Sequence, residues 1–164
     1  LVSDTGQLAW YVSSQDGGLV TIDTERTQAQ IGFVKANAKP LRHLMPGIDN
    51  QFASIILTAL DDKAIDRSTR LLLIAGAAVA NTGMEWNESR TSTSKWGAAP
   101  TLIEPVTGRV LIRNLKGAKS VMMTALDGSG RRIGQGVLAQ ASSQGWSVQL
   151  GNQTTTWYEV KVSR

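Results

Sequence analysis

One local pattern repeats along the chain: a short run suited to a strand, then a turn rich in Gly, Asp or Ser. Gln7–Val12 alternates, with Leu8, Trp10 and Val12 on one face and Tyr11 on the other, which marks Trp10 as a core residue. In Ser13-Ser14-Gln15-Asp16-Gly17-Gly18, Asp-Gly and Gly-Gly supply the positive φ that hairpin turns need. Leu19–Thr24 follows, rich in β-branched residues, and Gln28–Val34 sets Ala29, Ile31 and Phe33 together. Phe52–Leu60 and Ser68–Ala80 are apolar almost throughout, as in strands buried on both faces. Leu and Ala would also suit a buried helix over 68–80, but Gly76 and the strand-like flanks favour a strand. Beyond a long loop, Asn81–Pro100, come Thr101–Glu104, Arg109–Asn114, Ser120–Leu126, Arg132–Ala139, Trp146–Leu150 and Thr156–Val162. Asp127-Gly128-Ser129-Gly130 is a strong hairpin signal between two of these runs. About eleven short strands and no clear helix predict an all-β chain, a two-sheet antiparallel β-sandwich of jelly-roll type with one long functional loop.

The 164 residues suit one domain, 1–164, and a real core, since about two-thirds of the surface can be buried at this size. The longest apolar run, Leu71–Ala80, falls far short of the roughly 20 residues that span a bilayer, so no membrane partner is expected. Cys is absent, which removes disulfides and thiolate metal sites. The chain opens at Leu1 with neither an initiator Met nor a signal segment and reads as a piece of something larger. Net charge is +4, but the cations are spread thinly. The densest run of cations without an acid, Arg109, Arg113, Lys116 and Lys119, is too sparse for a nucleic-acid footprint.

Most catalytic constellations are missing. The one histidine, His43, sits between Pro40 and Pro46, and no nucleophile elbow occurs, so His43 is expected to be locally hydrogen-bonded. Glycoside hydrolysis needs only two carboxylates, and Glu85, Glu88, Glu104, Asp61 and Asp62 could supply them. Two can always be found among thirteen, however, and the expectation is a non-enzyme. Asp61, Asp62 and Asp66 most simply cap a turn; a structural calcium there is the alternative, without EF-hand spacing to support it. No other cofactor is implied.

What the chain does carry is tryptophan: five Trp against two Phe and two Tyr. Indole suits places where a flat apolar face meets a partly polar partner, and a pyranose ring is such a partner. Trp146 shares a face with Val148 and Leu150 and is assigned to the core. Trp157 alternates with Tyr158, Val160 and Val162, so it points with Glu159 and Lys161 to solvent or a neighbour. Trp86 and Trp96 lie in the long loop among Asn87, Glu88, Arg90, Lys95 and many hydroxyls. They are either anchors tucked under the loop or ligand contacts. The candidate carbohydrate-binding set is therefore Trp86 and Trp96 for stacking, with Trp157 and Tyr11 as further aromatics. Asn87, Glu88, Arg90 and Lys95 would read hydroxyls.

Asp4-Thr5-Gly6-Gln7-Leu8-Ala9-Trp10 and Val20-Thr21-Ile22-Asp23-Thr24-Glu25-Arg26-Thr27-Gln28 resemble the opening of a β-sandwich accessory domain C-terminal to catalytic barrels in bacterial glycoside hydrolases. Asn81-Thr82-Gly83-Met84-Glu85-Trp86-Asn87, Trp96-Gly97-Ala98-Ala99-Pro100, Glu104-Pro105-Val106 and Trp157-Tyr158-Glu159 continue the resemblance over most of the chain. Such domains typically have Pro where this chain has Glu25. The resemblance implies a secreted, extracellular or periplasmic, polysaccharide-degrading parent, with plant-wall β-glycans (β-glucan, cellulose or xyloglucan-like) as target. Its partners would be the polysaccharide and the parent's catalytic domain. Two roles follow: a carbohydrate-binding module that targets the parent to polymer, or a structural sandwich that stabilises the barrel and binds no sugar. In the second, Trp157 and the 109–119 strip would be interface.

Overall fold

The computed structural model describes residues 1–13 and 15–164, so Ser14 of the expected first turn lies outside the described residues. Among those described, the order is β1 (Leu8–Ser13), β2 (Gly17–Asp23), β3 (Thr27–Gly32), a helical turn α1 (Val34–Asn37), β4 (Leu44–Ile48), β5 (Ala53–Ala59), β6 (Arg70–Gly76) and β7 (Val79–Thr82). There follow β8 (Ala98–Ile103), β9 (Gly108–Ile112), β10 (Ser120–Leu126), β11 (Arg132–Leu138), β12 (Gln140–Ser142), β13 (Gly145–Leu150) and β14 (Trp157–Ser163). Eight strands form a sheet in the order β1-β2-β3-β5-β6-β14-β10-β11, four form a second as β12-β13-β9-β4, and β7 pairs with β8. The pairings are antiparallel, giving the expected β-sandwich.

The core lies between the two larger sheets. One wall is Ile55 and Leu57 of β5, Leu71 and Leu73 of β6, Val160 and Val162 of β14 and Val121 of β10. The other is Leu44 and Ile48 of β4, Val110 and Ile112 of β9 and Val148 and Leu150 of β13, with Trp146 packed partly buried against it. Tyr158, Val160 and Val162 face inward as their alternation requires, which turns Trp157 outward.

The described strands number fourteen rather than about eleven, for three reasons. The run 68–80 contains two strands, parted at Ala77-Ala78, with β7 leaving the main sheet. β12 is only three residues long, formed after the chain crosses between sheets at Ala139. β4 carries Pro46 and Gly47, which disguise it as loop; as an edge strand beside β9 it tolerates a residue without an N–H. Its burial alternates through Leu44, Pro46 and Ile48.

The largest departure concerns Trp10. Leu8, Trp10 and Val12 do share a face, but it is the outer one, and Trp10 is 53% exposed. Alternation shows which residues lie together; what covers them depends on the second sheet, which sits on the other side. Register extends this face across the sheet as Leu8–Ile22–Ala29–Ile56–Ile74–Trp157–Leu126, ending at Arg132.

Buried polar side chains fasten the 38–43 segment to the sheet. Gln30 donates to the Lys39 carbonyl at 2.6 Å and accepts from the Lys39 amide at 2.9 Å. Gln28 donates to Asp23 at 2.5 Å and accepts from the His43 amide at 2.7 Å. The His43 ring is held through Nδ1, 3.0 Å from the Arg113 carbonyl. Its anchor is thus a distant strand end rather than a local turn.

Candidate functional site

The loop 81–100 begins and ends in paired strand instead of being free of structure. Asn81 pairs with Thr101, Thr82 with Ala98, and an isolated bridge joins Glu85 to Lys95. The result is a ribbon standing off the sandwich, closed at its base by the Glu104 amide on the Ala78 carbonyl at 2.8 Å. Most of its residues are exposed, because neither large sheet covers it.

Polar side chains hold this ribbon in place of a core. Asn81 donates to the Trp96 carbonyl at 3.0 Å and accepts from the Thr101 hydroxyl at 2.9 Å. Gly97 adopts φ +67, and a Cβ there would lie 2.4 Å from the Thr82 carbonyl, so the close crossing needs glycine. At the tip, Asn87 accepts from the amides of Thr91 (2.8 Å) and Ser92 (3.3 Å) and donates to both their hydroxyls. Its side chain therefore holds the turn that carries Arg90 at φ 55.

Trp86 is 43% exposed and Trp96 65% exposed, so neither is buried under the ribbon. Trp86 borders a hollow of about 330 Å³ with Glu85, Asn87 and residues 92–95. Lys95 Nζ lies 2.6 Å from Glu85 Oε2 there. Glu88 and Arg90 are exposed, and among the described residues neither forms an ion pair. The two indoles do not stack on each other; among the described residues the close ring pair is Phe33–Phe52.

The remaining candidates lie elsewhere. Tyr11 is on β1, the far edge of the main sheet, and Lys39 Nζ stands 4.5 Å from its ring centroid, so one face already meets a cation. Trp157 is 40% exposed on the outer face, between Ile74 and Leu126. Arg109 to Lys119 is not a uniform cationic strip: Lys116 is paired with Asp66 at 2.6 Å and Arg109 donates to Gln149.

Asp61, Asp62 and Asp66 do not converge. Asp61 accepts from the amides of Lys63 and Thr69 and from the Thr69 hydroxyl, Asp62 meets Arg26 at 3.6 Å, and Asp66 holds Lys116. The Lys116 hydrogen bond outweighs burial and holds the Asp66 carboxyl below its ordinary value. Among the described residues no cluster of three or more His or acidic groups is placed to share a cation, and no helix is long and apolar enough to cross a membrane.

Of the outer face of the main sheet, the sequence reading finds Trp157 alone and assigns Trp10 to the core. Four of the five indoles are at least 40% exposed, two of them here. The inner faces of β5 and β6 are apolar and buried, while their outer faces mix Ile56, Leu72 and Ile74 with Ser54, Thr58 and Arg70, and the apolar ones are only half-buried. Beside Trp157, Glu159 is buried on this face at 6% exposure. It meets Arg132 Nη2 at 2.7 Å and Arg70 Nη2 at 3.4 Å. No protein-family description, curated protein or solved structure matches the chain.

Proposed function

We propose that this chain is a non-catalytic carbohydrate-binding module that holds plant-wall β-glycan on its projecting ribbon. It would act for a secreted or periplasmic glycoside hydrolase. The observation that carries this reading is the exposure of Trp86 and Trp96 at the end of the ribbon beyond its apolar strands, among the hydroxyls, amides and charges of residues 85–95. A sugar ring stacks its C–H face on indole, and each such contact adds about 0.5–1.5 kcal/mol beyond area burial, by analogy with aromatic pairs. Glu88, Arg90 and Lys95 stand within the same short segment to take hydroxyls, while Asn87 keeps the turn in shape. Affinity in the micromolar to millimolar range follows, about −4 to −8 kcal/mol. The benefit to the parent enzyme is local concentration on polymer.

The test is affinity electrophoresis of the chain in gels of β-glucan, xyloglucan and mannan. Retardation by at least one glycan, lost in the Trp86→Ala/Trp96→Ala double variant, is the expected result. Unretarded migration in all three removes the reading.

A second reading is favoured by the outer face of the main sheet. Its row from Leu8 to Leu126 is apolar on seven adjacent strands. Contiguous apolar surface of this kind marks interaction sites. On this reading the sandwich packs against its parent's catalytic domain and binds no sugar. Ile56→Lys and Ile74→Lys then loosen that contact and lower the parent's melting temperature, while loss of Trp86 and Trp96 leaves polymer adsorption unchanged.

A further inference from the structure

A small hollow of about 260 Å³ opens on the outer face, lined by Leu60, Arg70, Leu126, Gly130, Arg132 and Glu159. Trp157 adjoins it as the direct cross-strand partner of Leu126, and its ring reaches the turn at Gly128, where a Cβ would lie 3.8 Å from Cζ3. Arg132 crosses over β10 to donate Nε to Glu159 Oε2 at 2.8 Å, while Arg70 approaches from β6 on the other side. Glu159 is sealed by the sheet, yet both guanidinium side chains remain more than half exposed, at 54% and 59%.

These contacts leave donors unused. Arg132 employs Nε and Nη2, and Arg70 employs Nη2; among the described residues no acceptor takes Arg132 Nη1 or Arg70 Nε and Nη1. Lys161, paired with Arg70 across the strands, adds a third cation to the same corner. In the neighbouring turn Asp127 Oδ1 accepts from the Ser129 amide and hydroxyl and from the Arg131 amide, which ties that carboxylate to its own turn. Three cations thus face one buried carboxylate. The carboxylate fixes the Arg132 fork through two nitrogens and draws Arg70 in by one longer contact, at the rim of a hollow beside an exposed indole.

We propose that this corner is a subsite for an acidic sugar unit, a uronate whose ring packs on Trp157 and whose carboxylate bridges Arg70 and Arg132. Guanidinium forks match carboxylates in a planar, two-bond geometry, and forks already held in place lose less freedom on binding. A neutral sugar can use the indole but not the forks. The site rests on reading the chain as a glycan-binding module but uses none of the ribbon's residues, so the two can fail separately.

The experiment follows the Trp157 indole N–H and the arginine Nε–H signals by NMR while the chain is titrated with methyl β-D-glucuronide, methyl β-D-glucoside or acetate. The glucuronide is expected to move these signals and to bind about tenfold tighter than either other probe. Added NaCl should weaken it. Arg70→Gln, which leaves Glu159 its closer Arg132 partner and so keeps the fold, should abolish that preference. Trp157→Ala should abolish glucuronide binding, and Trp86→Ala/Trp96→Ala should leave it unchanged. Glucuronide binding no tighter than glucoside or acetate, or unaltered in Arg70→Gln, overturns the proposal.

Discussion

Arg132 and Glu159 meet through both Nε and Nη2 on a single carboxylate oxygen, at 2.8 and 2.7 Å, at the corner of the outer face where its apolar row ends. Burial alone would push the Glu159 pKa up. The Arg132 hydrogen bond and the charges of Arg132, Lys161 and Arg70 outweigh it and hold the carboxyl below its ordinary value of 4.5. A carboxylate depressed in the folded state stabilises the fold above its unfolded pKa. That stability is lost as pH falls through the folded value. Melting temperature should therefore drop on acidification below about pH 4.5, and Glu159→Gln should flatten that part of the profile. An identical acid limb in the variant would show that the pair contributes nothing to it. Arg132→Gln, which leaves Glu159 only the longer Arg70 contact, should cost about 1–3 kcal/mol at neutral pH, read from urea unfolding.

Gly17 and Gly76 stand in contrast. Gly17 has φ +74, and a Cβ there would lie 2.2 Å from the Phe33 ring. Gly76 has open space around its Cβ position and no positive φ. Gly17→Ala should destabilise by more than about 1 kcal/mol, whereas Gly76→Ala should be neutral or stabilise by about 0.4–1 kcal/mol. Thermal unfolding of the two variants side by side checks the contrast.

Gln30 clamps Lys39 through both polar atoms of its amide, at 2.6 and 2.9 Å. Gln30→Ala should abolish hydrogen-exchange protection at the Lys39 amide while β5 and β6 keep theirs. Gln28→Ala leaves the buried His43 amide without its acceptor and should cost about 1–3 kcal/mol.

Truncating the ribbon indoles should leave the fold intact. Trp86 and Trp96 touch no core, so Trp86→Ala and Trp96→Ala should each shift stability by less than about 0.5 kcal/mol. Trp146 packs against the core from β13, and Trp146→Ala should cost at least about 2 kcal/mol. Chemical denaturation of the three variants distinguishes them, and a large loss in Trp86→Ala would mark that ring as a structural anchor.

Most strands were legible because alternation and turn chemistry are local. β10 and β14 fall within a residue of the sequence reading, and Trp146, Val148 and Leu150 face the core together. β4 was hidden by Pro46 and Gly47, whose tolerance there depends on its place at a sheet edge. Trp10 shows a different limit: its face is written in Leu8 and Val12, but which face the smaller sheet covers is decided by strands distant in sequence. The exposure of Trp86 and Trp96 could not be read from spacing, since a ribbon held by Asn81 and Asn87 and a loop folded back on itself share the same composition. The corner at Glu159 had one visible trace, a glutamate alternating with core residues on β14. Its arginines come from strands remote in the chain.

The ribbon joins the sandwich through a narrow neck at Ala78 and Glu104 and lends no side chain to the buried cluster. Its tip can consequently be rewritten, lengthened or exchanged without a folding toll. The scaffold and the gripping surface are free to diversify at different speeds, which makes this attachment the natural place to engineer a new ligand preference.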